Sequence, residues 1–221
     1  MHRAAWIGIS LALVIFAVPA MAHHRPGHQG GPTPANTLGA KANPTPVTFA
    51  APTTVSGKLT GANNGAQPVT LAEDKFPFGD GYVGVATTRT AANGDYSFTQ
   101  IPETNRNYRV TVATFQAFTT VRVRMRVSRR VSDSTPRRGQ VVRFSGFVSP
   151  KHDGSVVLLQ RRSATGAWVT VRRATLIATT GNRSAYTTTR AVGSTGTYRT
   201  RVLGHGDHLT GTSVTVRLSV G

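Results

Sequence analysis

One order of short apolar runs and turns occurs twice along this chain. The first copy reads VSGKLTG, PVTL, GYV, NGDYSF, NYRVTV and VRVRMRV, and the second reads FSGFVSP, VVLLQ, GAWVTV, SAYTTT, TYRTRV and SVTVRLSV. A spacing of roughly ninety residues exceeds solenoid periods and matches whole all-β domains set in series. The runs are rich in β-branched and aromatic residues and are separated by Gly, Asn, Asp and Pro clusters, which is the texture of a β-sandwich. No stretch after residue 46 carries a helical period. The expected fold is therefore all-β, two antiparallel sandwiches in tandem, over residues 46–128 and 129–221. The join is placed in SRRVSDSTPRRGQ, residues 128–140, where Pro136 and Gly139 interrupt the pattern.

Several strands can be oriented from alternation alone, because successive side chains in a strand point to opposite faces. Over residues 121–127, Val121, Val123, Met125 and Val127 alternate with Arg122, Arg124 and Arg126. Tyr198, Thr200 and Val202 alternate with Arg199 and Arg201, and Val214, Val216, Leu218 and Val220 with Thr215, Arg217 and Ser219. Asn93-Gly94 is the strongest hairpin signal, since both positions tolerate the positive φ that a tight reversal needs.

Ahead of the repeats, residues 1–22 carry a basic start (His2, Arg3), an apolar stretch, Pro19 and the ending Ala20-Met21-Ala22. That is the layout of a secretory signal peptide cleaved after Ala22, and the apolar run is shorter than the ~20 residues of a spanning helix. Residues 23–45, dominated at first by Gly, Pro and polar residues, are expected to form a disordered leader. The chain has no cysteine. Disulfides therefore cannot staple the sandwiches in an oxidising compartment, and a lipid-anchoring cysteine is excluded. The expected destination is secreted, extracellular or loosely associated with the cell envelope, with no membrane span once the signal is removed.

The second copy, through FSGFVSP, LLQRR, GAWVTV and GTYRTRV, resembles the Ig-like or fibronectin-like repeats of secreted bacterial proteins. The first, through VSGKLTG and NGDYSF followed by NYRVTV, also resembles carboxypeptidase regulatory-like domains, which are transthyretin-like sandwiches. These resemblances imply Ig-like folding units of an accessory, adhesive or spacer kind. The first copy departs from the second in carrying the longer KFPFGDGY where the second has ATGAW. By the same resemblance, Tyr108 and Tyr198 take the place of a tyrosine corner, whose hydroxyl bonds to nearby backbone. Trp168 is expected to pack over the core or its rim.

Charge supplies the functional signal. The net charge is +18, and it is uneven: residues 46–128 hold 8 basic and 5 acidic residues, while 129–221 hold 15 and 3. Nearly all the basic residues are arginine, whose planar guanidinium matches phosphate, sulfate and carboxylate. If the strands of Arg199, Arg201 and Arg217 are neighbours, their side chains share one outer face, which Arg161, Arg162, Arg172 and Arg173 would extend. The expectation is a non-enzymatic binding or adhesion module docking on an anionic envelope polymer. The alternative is a spacer or accessory subunit that positions another secreted protein through its sheet edges. A copper-dependent or hydrolytic enzyme is the remote third reading.

Catalytic and metal signals are weak by comparison. His23, His24 and His28 in the leader would offer an N-terminal copper chelate only if the segment were ordered. His205, Asp207 and His208 lie in one turn, but zinc needs a further ligand and fixed geometry, so the turn reads as solvated. His152-Asp153 has no nucleophile motif beside it, and Glu73, Asp74, Asp80 and Asp95 fit no calcium loop and are read as decorating turns. No cofactor, metal site or catalytic residue is assigned from the sequence.

Overall fold

Alternating burial writes out the strands. In the computed structural model, which describes residues 35–221, the first copy runs through β1 (Thr37–Asn43), β2 (Val47–Thr48), β3 (Thr53–Thr60), β4 (Pro68–Lys75), β5 (Val83–Arg89), β6 (Asp95–Gln100), β7 (Arg106–Val112), β8 (Phe115–Val121) and β9 (Val123–Arg124). The second continues through β10 (Arg126–Val127), β11 (Arg130–Val131), β12 (Gln140–Ser149), β13 (Val156–Arg162), β14 (Trp168–Thr175), β15 (Ile177–Ala178), β16 (Ser184–Val192), β17 (Gly196–Val202), β18 (Gly211–Thr212) and β19 (Val216–Leu218). The signal expected over residues 1–22 and the leader residues 23–34 lie outside the described residues.

Both copies fold by one plan. The first packs sheet β1-β3-β6 against β5-β4-β7-β8; the second packs β10-β12-β16-β15, with β11 also on β12, against β14-β13-β17, which β18 and β19 flank. Within these sheets every pairing is antiparallel, and β2 with β9 is a short parallel ladder beside them. The result is two Ig-like β-sandwiches in tandem, so the fold class read from the repeat holds. The first core gathers Val55, Leu59, Val69, Leu71, Val110 and Val121 between its sheets. The second has two clusters, one around Met125, Val157 and Val202, the other around Phe144, Leu159 and Leu218.

Two boundaries move. Residues 37–43, expected in the disordered leader, are strand β1, paired along its whole length with β3. Leu38, Ala40 and Ala42 turn toward the core while Thr37, Gly39, Lys41 and Asn43 face outward. Two of the three inward residues are alanines, so the alternation is faint in the sequence. The chain also changes sandwich earlier than residue 129. Val123 belongs to the first core and Met125 to the second, and β10 already pairs with β12. The alternation expected over residues 121–127 is present, with Val121, Val123 and Met125 buried and the three arginines exposed, but it spans a crossover between sandwiches rather than one strand.

The repeated Ser-Gly of VSGKLTG and FSGFVSP has a steric purpose. Gly57 stands opposite Tyr96, and Gly146 opposite Tyr186. Each tyrosine crosses its glycine and donates its hydroxyl to backbone on the far side, Tyr96 to Gly39 O at 2.5 Å and Tyr186 to Ser128 O at 2.8 Å. A Cβ at Gly57 would strike the Gly39 carbonyl and the Tyr96 hydroxyl, and one at Gly146 would lie 2.9 Å from the Tyr186 ring and strike the Ser128 carbonyl. This corrects the tyrosine-corner reading. Tyr108 and Tyr198 are structural, each 1% exposed in a core, but neither hydroxyl has a hydrogen-bond partner among the described residues.

Candidate functional site

On β17, Tyr198, Thr200 and Val202 point into the core, which turns Arg199 and Arg201 outward. Register then decides which other arginines join them. Arg201 lies beside Leu158, and Leu158 beside Arg173, so these form one row across β17, β13 and β14. Arg217 stands opposite Thr197 and so shares the face. Arg162 pairs with Trp168 in the row beyond Gln160 and Thr170. Five of the seven expected arginines, 162, 173, 199, 201 and 217, therefore occupy the outer face of one sheet.

The other two do not. Arg161 is opposite core-facing Tyr198, and its guanidinium donates to Ser194 Oγ at 2.9 Å and to Thr195 O at 3.0 Å, holding the β16–β17 turn. Arg172 is registered with core-facing Leu159, because a bulge between Leu159 and Gln160 leaves Val171 as the extra residue on β14. It is exposed on the opposite side of that edge strand. Trp168 is likewise not over the core. It lies half-buried on the outer face, with the Arg199 guanidinium 4.2 Å from its ring centre. Arg199 also donates Nε–H to Gln160 Oε1 at 2.9 Å. Burial, and then the charge of Arg201, lower its pKa from the ordinary arginine value.

The three acidic residues of the second copy are all engaged elsewhere. Asp133 accepts from Thr135 N at 2.8 Å and Gln140 Nε2 at 2.9 Å. Asp153 accepts from Ser184 Oγ at 2.5 Å and pairs with Lys151 at 3.1 Å. Asp207 faces histidines at the junction of the sandwiches. None of the five outer-face arginines forms an ion pair among the described residues. Arg161, Arg162 and Arg217 also border a shallow hollow of about 370 Å³ with Thr195, Gly196 and Thr197.

The junction is the second notable locality. Asn105, 2% exposed, donates its N–H to Asp207 O at 2.9 Å and its Nδ2–H to Gly206 O at 2.8 Å, while its Oδ1 accepts from Val123 N at 2.8 Å. Leu209 N–H donates to Val123 O at 2.7 Å, and Met125 N–H to Leu209 O at 3.2 Å. The longer KFPFGDGY loop enters here too: Phe76 N–H donates to Asn105 O at 3.1 Å, and its ring covers Gly206. That accounts for the departure between the two copies.

Against this backbone seam the β17–β18 loop presents Asp207 and His208, and the β12–β13 loop presents His152. The turn is solvated only in part: His205 is exposed, but His208 is 1% exposed, and its ring meets those of His152 and Phe49 edge-on at 5.1 Å and 6.3 Å. His208 Nδ1 lies 2.9 Å and His152 Nε2 3.4 Å from Asp207 Oδ2. Burial raises the Asp207 pKa, but contact with His208 and the positive charge that His208 and His152 can carry outweigh it, so the carboxyl is held below the usual range. His205 stacks on His152 at 5.8 Å and turns its Nε2 to Ser155 Oγ at 3.3 Å.

Sequence reasoning missed His152 as a partner of that turn, and missed Asn105, Tyr96 and Tyr186. Only the last two left a signal, a Ser-Gly and a Tyr at matching places in both copies. Glu73 and Asp74 lie within β4 rather than in turns, and Glu73 meets Arg106 at 2.6 Å with both side chains largely buried.

No known family model matches this chain, and no curated protein matches it. Among solved structures, it is similar to the ectodomain of the teleost fish polymeric Ig receptor, with 12% identity over 83% of this chain and 97% of that one and a TM-score of 0.36.

Proposed function

We propose that the chain is a secreted, non-catalytic binding module whose second sandwich docks on an anionic polymer of the cell envelope through the outer face of β14-β13-β17-β19. One observation carries this reading: strand register gathers five arginines on one sheet face from which every acidic residue of that sandwich is absent. Guanidinium groups in such rows present paired donors to phosphate, sulfate or carboxylate, and they release counterions when they bind. Arg199, held by Trp168 and Gln160, acts as a fixed centre, while Arg173, Arg201 and Arg217 remain available. The test is retention of the full chain on envelope material and on a short DNA duplex at low and high salt, beside Arg173→Ser/Arg201→Ser/Arg217→Ser. Retention should fall steeply with salt and in the triple variant; equal retention by that variant would sink the proposal.

The seam around Asn105 favours a second reading, a spacer that holds a partner protein at a set orientation. This predicts recovery of a specific protein partner whose binding survives the triple arginine change.

A further inference from the structure

We infer that His152, Asp207 and His208 form a divalent transition-metal centre, of the zinc kind, at the junction between the two sandwiches. The inference stands apart from the arginine face and starts from hydrogen-bond donors. His208 turns Nε2 to Glu103 O at 2.6 Å and Nδ1 to Asp207 Oδ2 at 2.9 Å. His152 turns Nδ1 to Pro150 O at 3.0 Å and Nε2 to Asp207 Oδ2 at 3.4 Å. All four ring nitrogens thus face oxygen acceptors, yet a neutral imidazole has a single N–H. The backbone carbonyls only accept, so they hold the protons on His208 Nε2 and His152 Nδ1. Lone pairs remain on His208 Nδ1 and His152 Nε2, both buried without a hydrogen-bond partner and both aimed at a carboxylate oxygen.

Three lone-pair donors converging on one point are satisfied together by a cation. A proton on His208 alone would pair that ring with Asp207 but leave the His152 Nε2 lone pair facing the same carboxylate oxygen, and protonating both rings would set two imidazolium ions 5.1 Å apart on a single carboxylate. A metal ion satisfies all three directly. The ligand atoms lie within 4.8 Å of one another; tetrahedral bonds of about 2.0–2.1 Å set such atoms roughly 3.4 Å apart, so the site forms when the two imidazoles draw together and His208 Nδ1 backs slightly away from Asp207 Oδ2. Each histidine already has the outer carbonyl that fixes tautomer and ring direction in metal sites. Two imidazoles and a carboxylate suit zinc-type ions over calcium or magnesium. All three ligands come from the second sandwich, but Glu103 O on the His208 ring and Asn105 on the Asp207 backbone belong to the first. The ion therefore fixes the loop on which the first sandwich rests.

The experiment is titration of the chelator-stripped full chain with Zn²⁺, followed by calorimetry and thermal unfolding, and with Co²⁺, followed by visible absorption. The expected result is a single tight equivalent, a tetrahedral Co²⁺ spectrum and a raised unfolding midpoint, since a ligand that binds only the native state stabilises it. Asp207→Asn and His152→Gln should abolish all three while circular dichroism shows the strands intact. His205→Ala should leave them unchanged, as should His23→Ala/His24→Ala/His28→Ala. Absence of binding, or binding lost with the leader histidines and kept by Asp207→Asn, would overturn the assignment.

Discussion

Tyr96 and Tyr186 do the same work in the two copies, each lying over a glycine to reach a carbonyl across the sheet. Tyr96→Phe and Tyr186→Phe should each lose about 1–2 kcal/mol in chemical denaturation, the value of a partly buried hydrogen bond plus an acceptor left unpaired. Gly57→Ala and Gly146→Ala should lose about 1–3 kcal/mol, as overpacked sites do, because the added methyl meets backbone that cannot yield. Unchanged stability in the alanine variants would mean that the glycines are incidental. Ionisation adds a pH signature. Burial pushes Tyr96 up to about 12, and burial, reinforced by the Glu73 charge and opposed by Arg106, pushes Tyr108 up to about 12, against 10.0 for the free phenol. A raised native pKa favours the neutral form in the fold, so this contribution is intact below pH 10.0 and disappears as pH climbs toward about 12. Stability should fall across that window, and less steeply in Tyr96→Phe.

At the scale of strands, alternation puts two adjacent arginines on opposite faces, and one register shift decides which of them joins the cationic face. Arg173 shares the outer face with Arg201, and Arg172 does not. In binding to a short DNA duplex, Arg173→Ser/Arg201→Ser/Arg217→Ser should reduce the slope of log affinity against log salt by roughly 3, about 0.9 for each phosphate contact removed. Arg172→Ser should leave the slope and the face unaltered; an equal effect at both positions would show that overall charge, not the face, governs binding. Arg199→Ser should differ from both by also removing a cation–π contact of about 0.5–1 kcal/mol over Trp168. Alternation made β17 legible from sequence, and consecutive final strands made its neighbour Arg217 legible too. The Leu159/Gln160 bulge was not, because an extra residue in an edge strand changes no residue type.

Across the whole molecule, the seam joins residues far apart in the chain. Asn105→Ala would leave Val123 N–H and Gly206 O unpaired, a loss of about 1–3 kcal/mol that falls on the junction rather than on either core. Calorimetry should show the full chain melting in one transition and the variant in two; a single lowered transition in the variant would place Asn105 within one sandwich's own stability. The succession of strands and most core faces follow from local patterns of period two and from turn residues, which act between near neighbours and can be read from the chain alone, as can the basic second half from composition; the pairing of Gly57 with Tyr96 and Gly146 with Tyr186 needed the sheet register. Strand β1 was hidden because two of its three inward residues are alanines. Only the tertiary structure set His152 against Asp207 and His208, sent Phe76 to Gly206, and divided seven arginines into five on the face and two off it. Those outcomes depend on which loops meet and where a bulge falls, and contacts between distant segments leave no periodic trace in sequence.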